Sequence, residues 1–450
     1  MIAILAASAL LTAVNGPAPV RATTGVPVIL SEQRDFPFVH LTLYFGVGPA
    51  HDPPGKEGLT ALVTRTLVRG TTEHGRAEIE EAIEALGTEL MTANQSHAAS
   101  LGGAVLTRNL PTFVKLLGEV VTKPAFEPEE IEKVKREMIA ELEADRDDDG
   151  TLARVWFRRE VFAGHPCGHG SSGIPETLAT ITADDVRAHW LRSFGRANLV
   201  VGASGDVDEA TLRALLDAAL TGLPPGEKAS WDLPEPPHTE GRVVVLVDKA
   251  DRTQAQIIIG HPSLAANDPD LDALTVATTA FGGNMTARLM QEVRVKRGLS
   301  YGAYARLSAE RAHGYYVLTA APEAAKTVET LKLLLDEYDR FVAEGLTDEE
   351  VDFAKSYLVN AFPFSVETAA ARTAQQVRNV LLDRPADYVE TFVPRIEAVT
   401  ADQVRDAVRR RLSPRDLTVV VVCTAPELRD AMAAVPGVSA VRVRPYNALE

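Results

Sequence analysis

Apolar residues along the chain follow two alternating periods. Residues Val39 to Val47 and Gln254 to Ile259 are rich in β-branched and apolar side chains and predict strands. Leu110, Phe113, Val114, Leu117, Val120 and Val121 keep the spacing of an amphipathic helix, with Pro111 near its start. Val328, Leu331, Leu334, Leu335, Tyr338 and Phe341 predict a second helix of the same kind. The charged stretch Glu129 to Asp149 is also helical. Ile131, Val134, Met138 and Leu142 share one face there, and Glu129–Lys133 and Glu132–Arg136 stand at ion-pairing distance along the helix. Its charges read as a solvated helix surface rather than an interaction tail. An α+β body follows.

That body is written twice. Thr182-Ala183-Asp184-Asp185-Val186-Arg187 recurs as Thr400-Ala401-Asp402-Gln403-Val404-Arg405, at an offset of 218 residues. Leu199-Val200-Val201 returns at the same offset as Leu417-Thr418-Val419. Val105-Leu106-Thr107 returns as Val317-Leu318-Thr319, and Phe126 to Glu132 as Leu346 to Asp352. Four matches in one order mark a tandem duplication. The prolines at 224, 225, 234, 236 and 237 forbid helix and predict an extended linker over 223–240. The expected organisation is a signal peptide over 1–22, one domain over 23–222, the linker, and a second domain over 241–450.

Charge and composition narrow the function. A formal net charge of −16 argues against nucleic acid, whose phosphates need a cationic surface. Cys167 and Cys423 form no Cys-x-x-Cys motif and read as two separate buried thiols, unless the fold brings them together as a disulfide. Met1 to Leu11 is an apolar run followed by Val20-Arg21-Ala22, which reads as a signal core and cleavage region. The expected location is the periplasm or another exported compartment; a cytoplasmic tail is the alternative. No later stretch reaches eighteen uninterrupted apolar residues.

The chemistry lies in two segments. Gly55 to Thr71 closely resembles the zinc-site segment of the pitrilysin/insulinase peptidases, an inverzincin family with His-x-x-Glu-His at this place. The two histidine positions are Ala61 and Arg65 here, and the glutamate position is Thr64. A methyl group and a guanidinium cannot ligate zinc, and a hydroxyl cannot activate a metal-bound water as a carboxylate does. The family's third ligand, a glutamate, would fall near Glu141. The second segment, Gly282 to Tyr301, is a very close match to the family. In the family an arginine and a tyrosine seven apart contact the scissile region of bound peptide; by resemblance these are Arg294 and Tyr301. A guanidinium can hold a peptide carbonyl and a phenol can stabilise an oxyanion. The bland alternative pairs Arg294 with a helix carboxylate and lets Tyr301 fill the start of a strand.

Other clusters are weaker. His165, Cys167 and His169 sit in a glycine- and proline-broken loop that also resembles a family segment, and they read as no metal site. Gly282-Gly283-Asn284 lacks the Gly-Lys-Ser/Thr of a phosphate loop. Arg409-Arg410-Arg411 ends a predicted helix, where cations suit the dipole.

The resemblance implies two tandem homologous domains, each a mostly antiparallel sheet with helices packed on it, the insulinase-like or LuxS-like metallohydrolase fold. It implies the non-metal subunit of a heterodimeric zinc peptidase, inactive alone. No cofactor is expected on this chain; zinc is expected on a homologous partner, and peptides are the expected substrate. The rival readings are an inert assembly subunit and a stand-alone peptide-binding protein.

Overall fold

The computed structural model describes residues 20–21 and 25–448. The signal-peptide reading of residues 1–22 falls outside them, except for Val20–Arg21. Those two form β1, antiparallel to β2 (Pro27–Glu32). With β3 (Phe38–Phe45), β4 (Met91–Asn94), β5 (Ala99–Leu106) and β6 (Leu199–Gly205) they build a six-stranded sheet in the order β1-β2-β6-β3-β5-β4. A second sheet contains β7 (Arg242–Asp248), β8 (Gln256–Ser263), β9 (Ser300–Ser308), β10 (Gly314–Pro322), β11 (Leu417–Cys423) and β12 (Val438–Pro445). Its order is β12-β7-β11-β8-β10-β9.

Five strands of each sheet correspond one to one. In both runs only the first neighbours, β2–β6 and β7–β11, are parallel, and the remaining pairs are antiparallel. Equal order with equal strand sense is what a duplicated domain produces. The mostly antiparallel α+β expectation holds. β6 and β11 are buried at every position, while β3, the neighbour of β6, alternates.

The main helices are α1 (Leu59–Leu67), α2 (Leu110–Thr122), α3 (Pro128–Asp145), α4 (Asp149–Val161), α5 (Ala183–Ser193), α6 (Leu271–Gly282), α7 (Thr327–Glu344), α8 (Asp348–Ser365), α9 (Ala369–Leu381) and α10 (Ala401–Arg411). α2 buries the six residues whose spacing predicts it. The expected helix over Glu129 to Asp149 is two helices. α3 stops at Asp145, and the Asp148 carboxylate accepts from Thr151 N to start α4. α3 also buries Lys135, whose ammonium donates to the Ile181 carbonyl at 2.9 Å. Among the described residues no helix is long and apolar enough to cross a membrane.

The compact units are not the continuous halves expected from the sequence. The first holds residues up to Ile139, Ser171–Trp231 and Phe362–Phe392; the second holds Ala140–Gly170, Asp232–Ala361 and the chain from Val393. The cause is apolar matching between helix and sheet. In the second unit α4 sets Trp156 and Phe157 into a cluster with Val245, Val247, Val420 and Val422. In the first unit α9 sets Val377 and Leu381 against Ile29 and Val200. Each such side chain, fully buried, contributes about 1.5–3 kcal/mol. α9 comes so close to β6 that a β-carbon at Gly202 would lie 3.0 Å from Val377 Cγ2. Residues 223–240 carry no helix or strand, and the first unit gives way to the second at Trp231/Asp232.

Candidate functional site

α1 is the helix whose sequence resembles a zinc helix. Gly58, at φ +98°, precedes it in a backbone conformation that side chains avoid. A glycine has no capping side chain, and Asp52 supplies one from a distance. Its carboxylate accepts from Gly58 N and Thr60 N, both at 2.8 Å, and from the Thr60 hydroxyl at 2.6 Å. The Thr60 oxygen lies 2.9 Å from His189 Nε2 on α5. Because that hydroxyl spends its proton on Asp52, His189 donates from Nε2, and its Nδ1 accepts from Arg192 at 3.2 Å. Burial pushes Asp52 up to about 6 against these donors and pushes His189 down to about 3, so the imidazole is neutral. Nothing in the sequence pattern singles out Asp52 or His189, because their partners are 8 and 129 residues from them.

Within α1 the three family positions have lost metal chemistry. Ala61 and Thr64 are each 1 % exposed, and Arg65 is half-buried. The Thr64 hydroxyl sits 2.7 Å from the Thr60 carbonyl and 2.9 Å from Asn94 Oδ1 on β4. A methyl, an engaged hydroxyl and a guanidinium offer no donor set for zinc, so the residues present do not fit that ion. Glu141 is exposed on α3.

Arg294 and Tyr301 come together in the second unit. Gln291–Lys296 is a π-helical turn, which the sequence gives no signal for. Val293 is fully buried and anchors it, and Glu292 clamps its far end through Lys296 at 2.6 Å and Arg297 at 2.5 Å. Gly298, at φ +59°, closes the turn by donating to the Arg294 carbonyl at 3.1 Å. β9 then begins. The Arg294 guanidinium carbon lies 4.5 Å from the centre of the Tyr301 ring, and Tyr301 is 82 % exposed. Among the described residues Arg294 has no carboxylate partner and the Tyr301 hydroxyl makes no hydrogen bond. Of the bland alternative, the helix ion pair of Arg294 is not seen among the described residues, while Tyr301 does stand at the start of β9 with its ring exposed.

The remaining clusters are structurally satisfied. His165 accepts from Cys167 N at Nδ1, 3.0 Å, and donates to the Pro234 carbonyl from Nε2, 2.8 Å, which leaves it no lone pair for a metal. Cys167 and Cys423 are buried free thiols; burial pushes Cys167 up, and Cys423 up to about 12. Arg410 and Arg411 pair with Asp270 and Asp268. Glu73, His74 and Glu119 converge within 4.8 Å, a grouping that sequence reasoning missed. There His74 already pairs with Glu119 at 2.8 Å, and the Lys123 ammonium neutralises Glu73.

Duplicated α+β domains, with a metal helix stripped of donors in one and an exposed Arg/Tyr pair in the other, define a peptidase-like protein. The chain belongs to peptidase family M16. Residues 28–156 match the model described as insulinase (peptidase family M16), and residues 180–358 match the one described as peptidase M16 inactive domain. A protein of Streptomyces coelicolor described as a zinc protease is 28 % identical over 388 residues, 83 % of each chain. The non-peptidase homolog YmxG of Helicobacter pylori is 26 % identical over 401 residues, 88 % of this chain and 91 % of that one. A crystal structure of a peptidase M16 inactive domain from Pseudomonas fluorescens superposes with a TM-score of 0.82 at 24 % identity. It covers 90 % of this chain and 97 % of that one.

Proposed function

We propose that this chain is the non-metal subunit of a zinc-dependent peptidase assembly and is inert by itself. A homologous subunit with an intact His-x-x-Glu-His helix carries the zinc. This chain closes the reaction chamber and positions peptide with Arg294 and Tyr301, the guanidinium holding a carbonyl and the phenol facing the oxygen on which charge develops. The observation that supports this reading is the asymmetry between the two sites. Donors are missing at Ala61, Thr64 and Arg65, while Arg294 and Tyr301 keep their polar groups uncommitted. The description of the Helicobacter relative as a non-peptidase homolog agrees with inactivity of the isolated chain. Export to a periplasm would place the assembly where peptides arrive from outside.

The test is co-purification from the native host, zinc analysis, and a quenched-fluorescence peptide assay on the complex and on each chain. Hydrolysis by the complex and by neither chain alone is the expected result. A stable complex that hydrolyses nothing would leave an assembly subunit, and peptide binding without any partner would leave a stand-alone binding protein.

A further inference from the structure

We infer that Glu337 is a positioning residue for Arg294, a buried acid whose proton keeps the π-helical turn clamped through Glu292 and Arg297. This role rests on the reading of Arg294 and Tyr301 as a peptide-holding pair and names what regulates that pair. α7 packs against the π turn, and Glu337 is buried on α7. Its side chain is 2 % exposed. Oε1 stands 3.4 Å from Arg340 Nη1, and Oε2 has no hydrogen-bond partner among the described residues. A buried carboxylate oxygen without a donor is costly, and a proton on the group removes the charge that makes it so. Burial is the largest influence on Glu337 and pushes it up from its ordinary 4.5, and the Glu292 carboxylate pushes in the same direction.

Three cations oppose these two effects: Arg340 on the same helix, then Arg288 and Arg297. Arg288 is held by Glu350, so Arg297 is the one that two acids share. It donates to Glu292 at 2.5 Å and also feels the charges of Glu337 and Glu329. Elsewhere around α7, Lys326 pairs with Glu323 and Arg405 with Asp402, and burial keeps Tyr316 of β10 un-ionised. Asp406 and Arg409 on α10, and Glu427, Arg429 and Asp430 on the Ala425–Ala433 helix, are exposed. With the proton on Glu337, Arg297 belongs to Glu292 and the turn is closed. Without it, a second carboxylate draws Arg297 and repels Glu292, and the far end of the turn loosens. Glu292 has room to move, because with Arg288, Gln291 and Phe353 it lines a cavity of about 390 Å³. Arg294 lies inside the segment that shifts, with its carbonyl accepting from Gly298 N.

The test is a pH titration of the full-length chain carrying ring-¹³C tyrosine, followed by NMR below the pH of ~10 at which phenols ionise. Loss of a signal in Tyr301→Phe identifies the Tyr301 resonance. That resonance reports on Arg294, whose guanidinium carbon lies 4.5 Å from the ring centre. The expected result is a one-proton step with its midpoint above the ordinary glutamate value of 4.5. Glu337→Gln should hold the resonance at the parent's acid position throughout. Arg340→Gln removes a cation that is 53 % exposed, so the fold survives it, and should move the midpoint up. A resonance that does not change with pH, a step retained in Glu337→Gln, or an unmoved midpoint in Arg340→Gln would each overturn the role of Glu337. Peptide hydrolysis by the two-subunit complex is measured separately. Its failure would strike the peptidase reading and leave the titration result standing, and the converse also holds.

Discussion

α1 and the π-helical turn at Gln291–Lys296 treat their polar groups in opposite ways. On α1 the side chains at the family positions are buried or engaged. Thr64 is tied to the helix and to Asn94, and the helix start is held by Asp52, Thr60 and His189. On the π turn the charges around Arg294 are cancelled locally, while Arg294 itself rests on an exposed ring with its donors unspent. At the family positions of α1 the side chains are packed or hydrogen-bonded into the unit around them. Tyr301 faces solvent, so water satisfies its hydroxyl and leaves it open to a ligand.

The largest expected effect separates the two regions by activity. Arg294→Ala and Tyr301→Phe should each lower peptide turnover of the assembled pair by about 2–4 kcal/mol in transition-state stabilisation, roughly 30- to 1,000-fold, with unfolding midpoints unchanged. Unchanged turnover in both variants would erase the comparison.

pH probes the α1 side. His189 is held neutral, with its pKa moved from the ordinary value down to about 3, so its contribution is complete above pH ~6.5 and is lost as pH falls. Asp52, raised to about 6, acts in the opposite sense, its contribution fading as pH rises through that value. Comparison with His189→Gln removes the Asp52 part, because both proteins keep it. Relative to that variant, the parent should lose about 1.4 kcal/mol of stability per pH unit below pH ~6.5, seen in denaturant titrations at pH 7.5, 5.5 and 4.5. A flat difference across that range contradicts the buried network.

Thr60→Val leaves the Asp52 carboxylate and His189 Nε2 without their shared partner and should cost about 1–3 kcal/mol of folding stability. Peptide turnover by the folded complex should stay as it was. Gly298→Ala is the smallest change. At φ +59° it should cost about 1–2 kcal/mol of local strain, lowering turnover through displacement of Arg294 more than it lowers the melting temperature.

Much of the fold is legible in the sequence because it depends on local periodicity and on the repeat. Strands β3 and β8, helices α2 and α7, and the duplication can all be read from spacing. The placement of α4 and α9 is not legible, since an amphipathic stripe shows that a helix must be covered but not by which sheet. At the sites, the lost ligands and the Arg/Tyr spacing stand in the residues themselves. The π turn and the Asp52–Thr60–His189 chain do not. The first is a backbone choice forced by Val293, Glu292 and Gly298 together, and the second joins residues that are distant along the chain.

The most direct test of the central claim is the zinc content of the isolated chain after dialysis against micromolar zinc, compared with an Ala61→His, Thr64→Glu, Arg65→His triple variant. The account predicts no stoichiometric zinc on the parent and its appearance only when the two histidine ligands and the glutamate base are restored. One tightly held zinc per parent chain, lost on Thr64→Val or Arg65→Ala but not on His74→Ala, would contradict it.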